Sequence, residues 1–558
     1  MKAAVSGQRR GGRACEGRAD FARRDATFGA REEAAPRSAV PALARLRALA
    51  VAVCVCVSLV IPASAREIYG LSEKELGLYS GSAFLAGWRV PEARQVVDRL
   101  LARSPGDPEA RSLEAHLLFF EGRYGDSLRA LDRLGERGRF RELVASTVQA
   151  TRGFSSRKSE HFQVSWGNPK DEVLAEPALQ ALEQAYAAVS RSLGFAPQGV
   201  VRIELYPTVA SFTAVSTLTR REVETSGTIG LCKFDRLMIT SPRATLWGYR
   251  WRDTLCHEYA HLAIYRLSRG TAPIWIHEGI AKYLEESWRG RTGELEPASQ
   301  ALLARRLESG KLISLEAMSP SVAKLPSAED TALAFAQVGT MMRFLVEEKG
   351  IDALGRLLER LAEGRSDREA LAAVWPGGLS AFDEAWRAWV RTLPLRKEAI
   401  QVLGLELAEG GKAEAEPGTI PDPGARDLAR LGDMLRGRGR MAAAAAEYAK
   451  AFALDPSAPG VASRQALARL ALGRFEEALA ATRQGLELYP DLAVLWVRQG
   501  QALAGLGRHA DAAAAFREAV EVNPFDPGAR GGLLAEARAL GDEAEVKRQR
   551  WALGVLGR

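Results

Sequence analysis

The chain has 558 residues, which is too long for one hydrophobic core, so several domains are expected. Hydrophobic residues make up 47% and charged residues 26%, a balance that excludes a wholly disordered protein. The net charge of +7 comes mainly from residues 1–65, which hold eleven Lys/Arg against five acids, and the nearly neutral remainder argues against a nucleic-acid partner.

Residues 1–65 predict a leader with a signal peptide. Arg45 and Arg47 precede an apolar run over 48–61, and small residues at 62–65 follow it. This run is shorter than the ~20 residues that cross a bilayer, so we expect cleavage after residue 65 and export to the periplasm or the extracellular space. An uncleaved leader would anchor the protein to a membrane, and translation starting nearer Val40 would explain the polar stretch ahead of the run.

Residues 66–150 carry a weak internal repeat. Trp88 and Gly122 are 34 residues apart, and so are Ala93 and Ser127. A period of 34 residues is typical of the tetratricopeptide repeat (TPR), a helical hairpin. We therefore expect TPR-like helices that pack on the next domain, and the alternative is a set of helices without repeat geometry.

Residues 155–395 have a mixed pattern. Strand signals occur at 161–166 and 200–206, with a helix predicted at 178–193 between them. The stretch 228–240 also looks extended, and from Trp251 to Trp389 nearly everything predicts helix. The segment is expected to be an α+β domain.

The helix that begins near Trp251 contains the sequence Cys256-His257-Glu258-Tyr259-Ala260-His261. Histidines four residues apart project from one helix face, close enough to bind one ion, and Glu258 would lie beside the open coordination position. Zinc suits two imidazoles and a carboxylate, with water as the fourth ligand. Glu278, in Trp275-Ile276-His277-Glu278-Gly279, opens a second helix that can turn back and supply this carboxylate.

The stretch 254–285 resembles the peptidase-MA-like gluzincins, a class of zinc metallopeptidases, and the resemblance extends over roughly 155–395. It implies a zincin-like α+β fold, Zn²⁺ bound by His257, His261 and Glu278, and Glu258 as general base. It also implies that the rim of the cleft, at Gly230 and Leu231, pairs with the substrate backbone. The alternative for this segment is a core strand without substrate contact.

Three further positions matter for the site. Related sequences often have Tyr where this chain has Phe335, so the group that stabilises the oxyanion is not identified. His277 is expected either to line the site or to contact the backbone at the helix start. Cys232 and Cys256 form a disulfide or remain two buried thiols.

Residues 396–424 predict a linker, because Pro and Gly are frequent near its end. A strong repeat follows over 425–558, in which Pro456, Pro490 and Pro524 recur every 34 residues. Three TPR hairpins are expected, closed by a helix pair at about 527–556. The predicted architecture is thus multidomain, with a central metallopeptidase domain and all-α TPR arrays on both sides.

Two functions follow from this organisation. The first is an exported zinc peptidase that cleaves peptide or protein substrates, with a protein partner bound through the TPR arrays. The alternative is a TPR scaffold whose central domain is inactive or binds a metal only for structure. The intact set of three ligands and a base favours the enzyme.

Overall fold

The computed structural model describes residues 72–404, 406–408 and 420–557. The predicted leader over 1–65 lies outside these residues, as do residues 405 and 409–419 of the predicted linker. Within the described residues, no helix combines the length and the apolar character needed to cross a membrane. The predicted fold class is confirmed, because helical arrays flank a central region of mixed sheet and helices.

The N-terminal array consists of five helices. They are α1 (Glu73–Ala86), α2 (Val90–Arg103), α3 (Pro108–Phe120), α4 (Tyr124–Arg133) and α5 (Arg139–Ala150). Trp88 and Gly122 occupy the same place in successive hairpin turns, and both have a left-handed backbone, with φ of 54° and 77°. Glycine is the usual residue in this conformation, which is strained for Trp88. The Trp88 ring stacks on the Tyr265 ring, with the centroids 3.7 Å apart.

The central domain contains one five-stranded sheet. Its strands are β1 (Ser155–Lys158), β2 (Phe162–Trp166), β3 (Val201–Tyr206), β4 (Gly230–Lys233) and β5 (Arg236–Thr240), in the spatial order β1-β2-β3-β5-β4. The strands β2, β3 and β5 are parallel, while β1 and β4 are antiparallel to their neighbours. Phe234 and Asp235 connect β4 to β5, and both have positive φ, which suits a two-residue hairpin turn.

Ten helices belong to the same region. They are α6 (Glu172–Leu193), α7 (Val209–Val215), α8 (Arg220–Ser226), α9 (Trp251–Ser268), α10 (Ile274–Leu284), α11 (Pro297–Ser309), α12 (Ala328–Lys349), α13 (Asp352–Ala362), α14 (Asp367–Val374) and α15 (Gly378–Val390). The helix α6 begins six residues before its predicted start at 178, and Pro177 lies inside it. Its first turn is buried, which stabilises the extra residues despite the missing proline N–H. The helices α6, α9, α10, α12 and α13 share one core with the sheet.

The C-terminal array has eight helices. They are α16 (Pro423–Gly437), α17 (Met441–Leu454), α18 (Pro459–Ala471), α19 (Phe475–Leu488), α20 (Ala493–Gly505), α21 (His509–Val522), α22 (Pro527–Leu540) and α23 (Glu543–Leu556). The closing pair predicted at about 527–556 is therefore confirmed as α22 and α23. The Phe516 ring lies between Gly500 and Gly532, and Cβ atoms added there would approach the ring to 2.8 and 2.5 Å. Small residues thus allow three consecutive helices to pack closely.

Candidate metal centre

The candidate site lies where α9 packs against α10. His257 and His261 stand one turn apart on α9, and Glu278 is in the second turn of α10. Their side chains are 13%, 10% and 11% exposed, respectively. Two imidazoles and a carboxylate are therefore held in a mostly dry pocket, where an uncompensated charge is costly.

The ligand atoms of the three residues converge. One atom from each lies within 4.8 Å of the others. The Nε2 atoms of His257 and His261 are 3.6 and 3.2 Å from the same Glu278 oxygen, Oε2. No other His, Cys, Asp and Glu group of this kind occurs in the described part of the chain. The structure thus brings the three predicted ligands together around one point.

The opposite nitrogen of each imidazole has a partner of its own. His257 Nδ1 is 3.4 Å from Glu285 Oε2, and His261 Nδ1 is 2.6 Å from His277 Nδ1. A proton on the Nδ1 atom leaves the Nε2 lone pair free, which is the arrangement that metal-binding histidines need. His277 therefore lines the back of the site, which is one of its two expected places. Its ring stacks on the His261 ring, with the centroids 4.6 Å apart.

The electrostatics of the site favour a positive charge at its centre. Burial lowers the pKa of His257, but hydrogen bonds to Glu278 and Glu285 outweigh it and raise the value to about 10. Burial opposes the charged form of Glu278, yet His261 and His257 hold its pKa below the usual range. Without a metal, a proton on His257 supplies the positive charge that two carboxylates require. A divalent cation would replace that proton.

Glu258 follows His257 on α9 and is buried. Burial raises the pKa of its carboxyl group, although the histidines and the backbone N–H of Cys232 partly oppose the shift. A Cβ atom at Gly230 would lie 2.7 Å from Glu258 Oε1, so the missing side chain of Gly230 leaves room for this carboxylate. The predicted base and the predicted rim are therefore neighbours.

The rim segment has two parts with different environments. The strand β5 is fully buried and pairs with both β3 and β4, as the core-strand alternative expects. The strand β4, which contains Gly230 and Leu231, ends the sheet and pairs with β5 alone among the described strands. Its first residue, Gly230, lies next to Glu258.

Phe335 lies on α12, where its ring faces the edge of His257 with the centroids 6.0 Å apart. Its side chain therefore lies at the wall of the site but has no hydroxyl group that could stabilise an oxyanion. Cys232 and Cys256 are both free thiols, and Cys256 is buried with Sγ 3.9 Å from the Ala181 carbonyl oxygen.

The contact of Glu285 with His257 was not predicted from the sequence. Glu285 caps the C-terminal end of α10 and follows Glu278 by seven residues, a helical spacing that brings both to one side and was the available signal. Lys282 Nζ holds the Glu285 carboxylate at 2.5 Å and contacts Glu296 at 3.2 Å. The partner of the first histidine is therefore itself fixed by a buried ion pair.

Residues 181–392 match the family model described as the Peptidase MA superfamily, and this range includes α9 and α10. The chain contains a Peptidase MA superfamily domain. Residues 463–527 match a tetratricopeptide repeat model, which confirms the C-terminal repeats. None of the curated proteins compared with the chain matches it.

Several solved structures resemble a part of the chain. The first TPR of Spaghetti (RPAP3) bound to HSP90 peptide SRMEEVD is 23% identical with a TM-score of 0.21, and the match covers 22% of this chain and 99% of that one. MamA is 20% identical with a TM-score of 0.23, covering 24% and 80%. The Sgt2 TPR domain from Aspergillus fumigatus is 23% identical with a TM-score of 0.22, covering 23% and 87%.

Proposed function

We propose that the protein is a zinc-dependent peptidase in which His257, His261 and Glu278 hold the ion. The observation that carries the proposal is the approach of two imidazole Nε2 atoms to one carboxylate oxygen, at 3.6 and 3.2 Å. Ligands about 2.1 Å from a tetrahedral zinc ion lie roughly 3.4 Å apart, so the donor set and its spacing both fit zinc.

A bound zinc ion would polarise the scissile carbonyl and lower the pKa of water to about 7. Glu258 takes the proton from the attacking water and returns it to the leaving amine. Its raised pKa makes this buried carboxylate a stronger base than an exposed one. The free edge of β4 at Gly230 and Leu231 orients the substrate by backbone hydrogen bonds.

The proposal includes export and protein binding. The residues 1–65 have the pattern of a cleaved signal peptide, so we place the mature protein in the periplasm or outside the cell, or on the membrane if the leader is retained. The TPR arrays bind a protein partner or present the substrate, because such repeats expose extended surfaces that suit peptides.

The test compares the mature chain with two variants, Glu258→Gln and Glu294→Gln, of which the second changes an exposed residue. Zinc content is measured by metal analysis, and cleavage is followed with casein and with a peptide library. We expect Glu258→Gln to retain zinc and to lose about 10²–10⁴-fold in kcat, while Glu294→Gln matches the unmodified chain. Equal activity in all three proteins would favour the scaffold alternative.

A further inference from the structure

The segment just ahead of α9 is docked on the C-terminal array. The Arg250 guanidinium donates to Asp491 Oδ1 at 2.6 Å, to Glu518 Oε2 at 3.0 Å and to the Pro490 carbonyl at 3.1 Å. Its side chain is only 18% exposed. A cation that is mostly removed from water and fully paired marks a specific contact rather than a surface ion pair.

The backbone of the same segment also lies close to the C-terminal array. The Tyr249 N–H donates to the Val522 carbonyl at 3.0 Å. Gly248 has φ of 77°, and a Cβ atom there would lie 2.2 Å from that carbonyl oxygen. Only glycine therefore permits this approach. The end of α21 is thus fixed against the start of α9.

Arg252 extends the contact towards the metal centre. Its Nε donates to Glu521 Oε1 at 2.7 Å, and its guanidinium lies 4.5 Å from the centroid of the Trp288 ring. The Trp288 indole N–H donates to Asp253 Oδ1 at 2.7 Å, and Arg289 pairs with the same carboxylate. Arg289 also lies 4.8 Å from the Trp288 ring centroid.

This network reaches α9 and the short helical turn that follows α10. Asp253 stands one turn before His257 on α9, whereas Trp288 comes three residues after Glu285, the partner of His257 Nδ1. The two arginines, Arg252 and Arg289, lie within about 6 Å of one indole ring, and their like charges repel. Burial and Arg289 lower the pKa of Arg252 to about 10. Glu521 from the array forms an ion pair with its guanidinium.

We propose that the C-terminal array is a working part of the metal centre, in which Glu521 and Arg252 are positioning residues that hold α9 and α10 at the spacing the three ligands require. This inference rests on the proposed zinc site. It assigns the C-terminal end of α21 a partner within the same chain. The array is consequently more than a module for external proteins.

The test uses the full chain and measures zinc affinity by competition with a chelator. Glu521→Gln and Arg252→Met are compared with each other, with the double variant and with Asp511→Asn. Asp511 forms an exposed pair with Arg508 on the same helix and serves as the control. Cobalt replaces zinc in a second measurement, because its visible spectrum reports the geometry of the ligands.

We expect Glu521→Gln to weaken zinc binding about tenfold and to change the cobalt spectrum, as residues that orient metal ligands do. The double variant should lose no more than the larger single effect, because both residues act through one network. Asp511→Asn should match the unmodified chain. Zinc affinity and a cobalt spectrum unchanged in Glu521→Gln would overturn the inference.

The reversed pair Arg252→Glu with Glu521→Arg covers the case in which a single variant does not fold. We expect it to fold and to regain most of the zinc affinity that either single change loses, and a reversed pair as weak as the singles contradicts the inference. If the unmodified chain binds no zinc, the proposed function itself has failed. If that chain binds zinc and Glu521→Gln binds it equally well, only the present inference has failed.

Discussion

The candidate metal centre and the C-terminal array are both built from neighbouring helices, yet they depend on different kinds of contact. In the array, each helix packs mainly on its neighbours through small residues, as Phe516 does between Gly500 and Gly532. In the metal centre, His257 depends on Glu278 and Glu285, and the Glu285 carboxylate depends on Lys282. The same kind of packing contact therefore recurs along the array, whereas each polar contact of the centre occurs only once.

The largest effect is expected from Glu278→Gln. This change removes the only carboxylate among the three ligands and the charge that the two imidazoles offset. We expect the variant to bind less than one zinc ion per chain. Its zinc affinity should fall by more than the about 10–100-fold that is lost when a residue supporting a ligand is changed. Metal analysis after gel filtration measures the loss, and a variant with one zinc per chain would show that the carboxylate is dispensable.

Glu285→Gln tests the partner of the first histidine. The amide retains the shape of the side chain but no longer attracts the Nδ1 proton of His257 or the Lys282 ammonium as strongly. We expect zinc affinity to fall about 10–100-fold, measured by chelator competition. The same change at Glu363, an exposed residue at the end of α13, serves as the control and should have no effect.

The sequence predicted the residues of the centre better than their supports. His257, His261 and Glu278 belong to local patterns on two helices, and so their spacing could be read directly. Glu285 had a signal only in its seven-residue distance from Glu278. The approach of Gly230 to Glu258 joins a strand edge to a helix, and no local pattern encodes that contact.

The same contrast holds for the repeats. The 34-residue period predicted the C-terminal hairpins because each helix meets its neighbours in the chain. It did not predict that Arg250 would pair with Asp491 and Glu518, more than 240 residues later. Contacts between distant segments have no period and follow only from the assembled fold.

Asp171 is a buried carboxylate without histidine partners, and it sharpens the comparison. Burial raises its pKa to about 6, although Ser241 donates a hydrogen bond to Oδ1 at 2.7 Å. Because the folded pKa exceeds the ordinary value of 3.8, this residue should reduce stability as the pH rises from about 4 to 6.

Asp171→Asn removes that dependence. Relative to the unmodified chain, we expect the variant to gain about 3 kcal/mol in the free energy of unfolding at pH 8 compared with pH 3.5. Denaturant titrations at the two pH values measure the difference. A variant with the same pH dependence as the unmodified chain would show that Asp171 remains charged at little cost.

The smallest effect is expected in the array. In Gly500→Ala, the new methyl group meets the Phe516 ring, and such overpacking costs about 1–3 kcal/mol. The higher helix propensity of alanine offsets up to about 1 kcal/mol, so we expect a net loss of about 1 kcal/mol in thermal or denaturant unfolding. Gly531→Ala is the matched control, because a Cβ atom there meets nothing within 4 Å, and it should stabilise the array.

The central claim is that two imidazoles and one carboxylate bind a single zinc ion between α9 and α10. Diffraction from crystals of the zinc-loaded chain, recorded at the zinc absorption edge, tests it most directly. We predict one strong anomalous peak at about 2.0–2.2 Å from His257 Nε2, His261 Nε2 and a Glu278 oxygen. A map with no peak among these three side chains would contradict the claim.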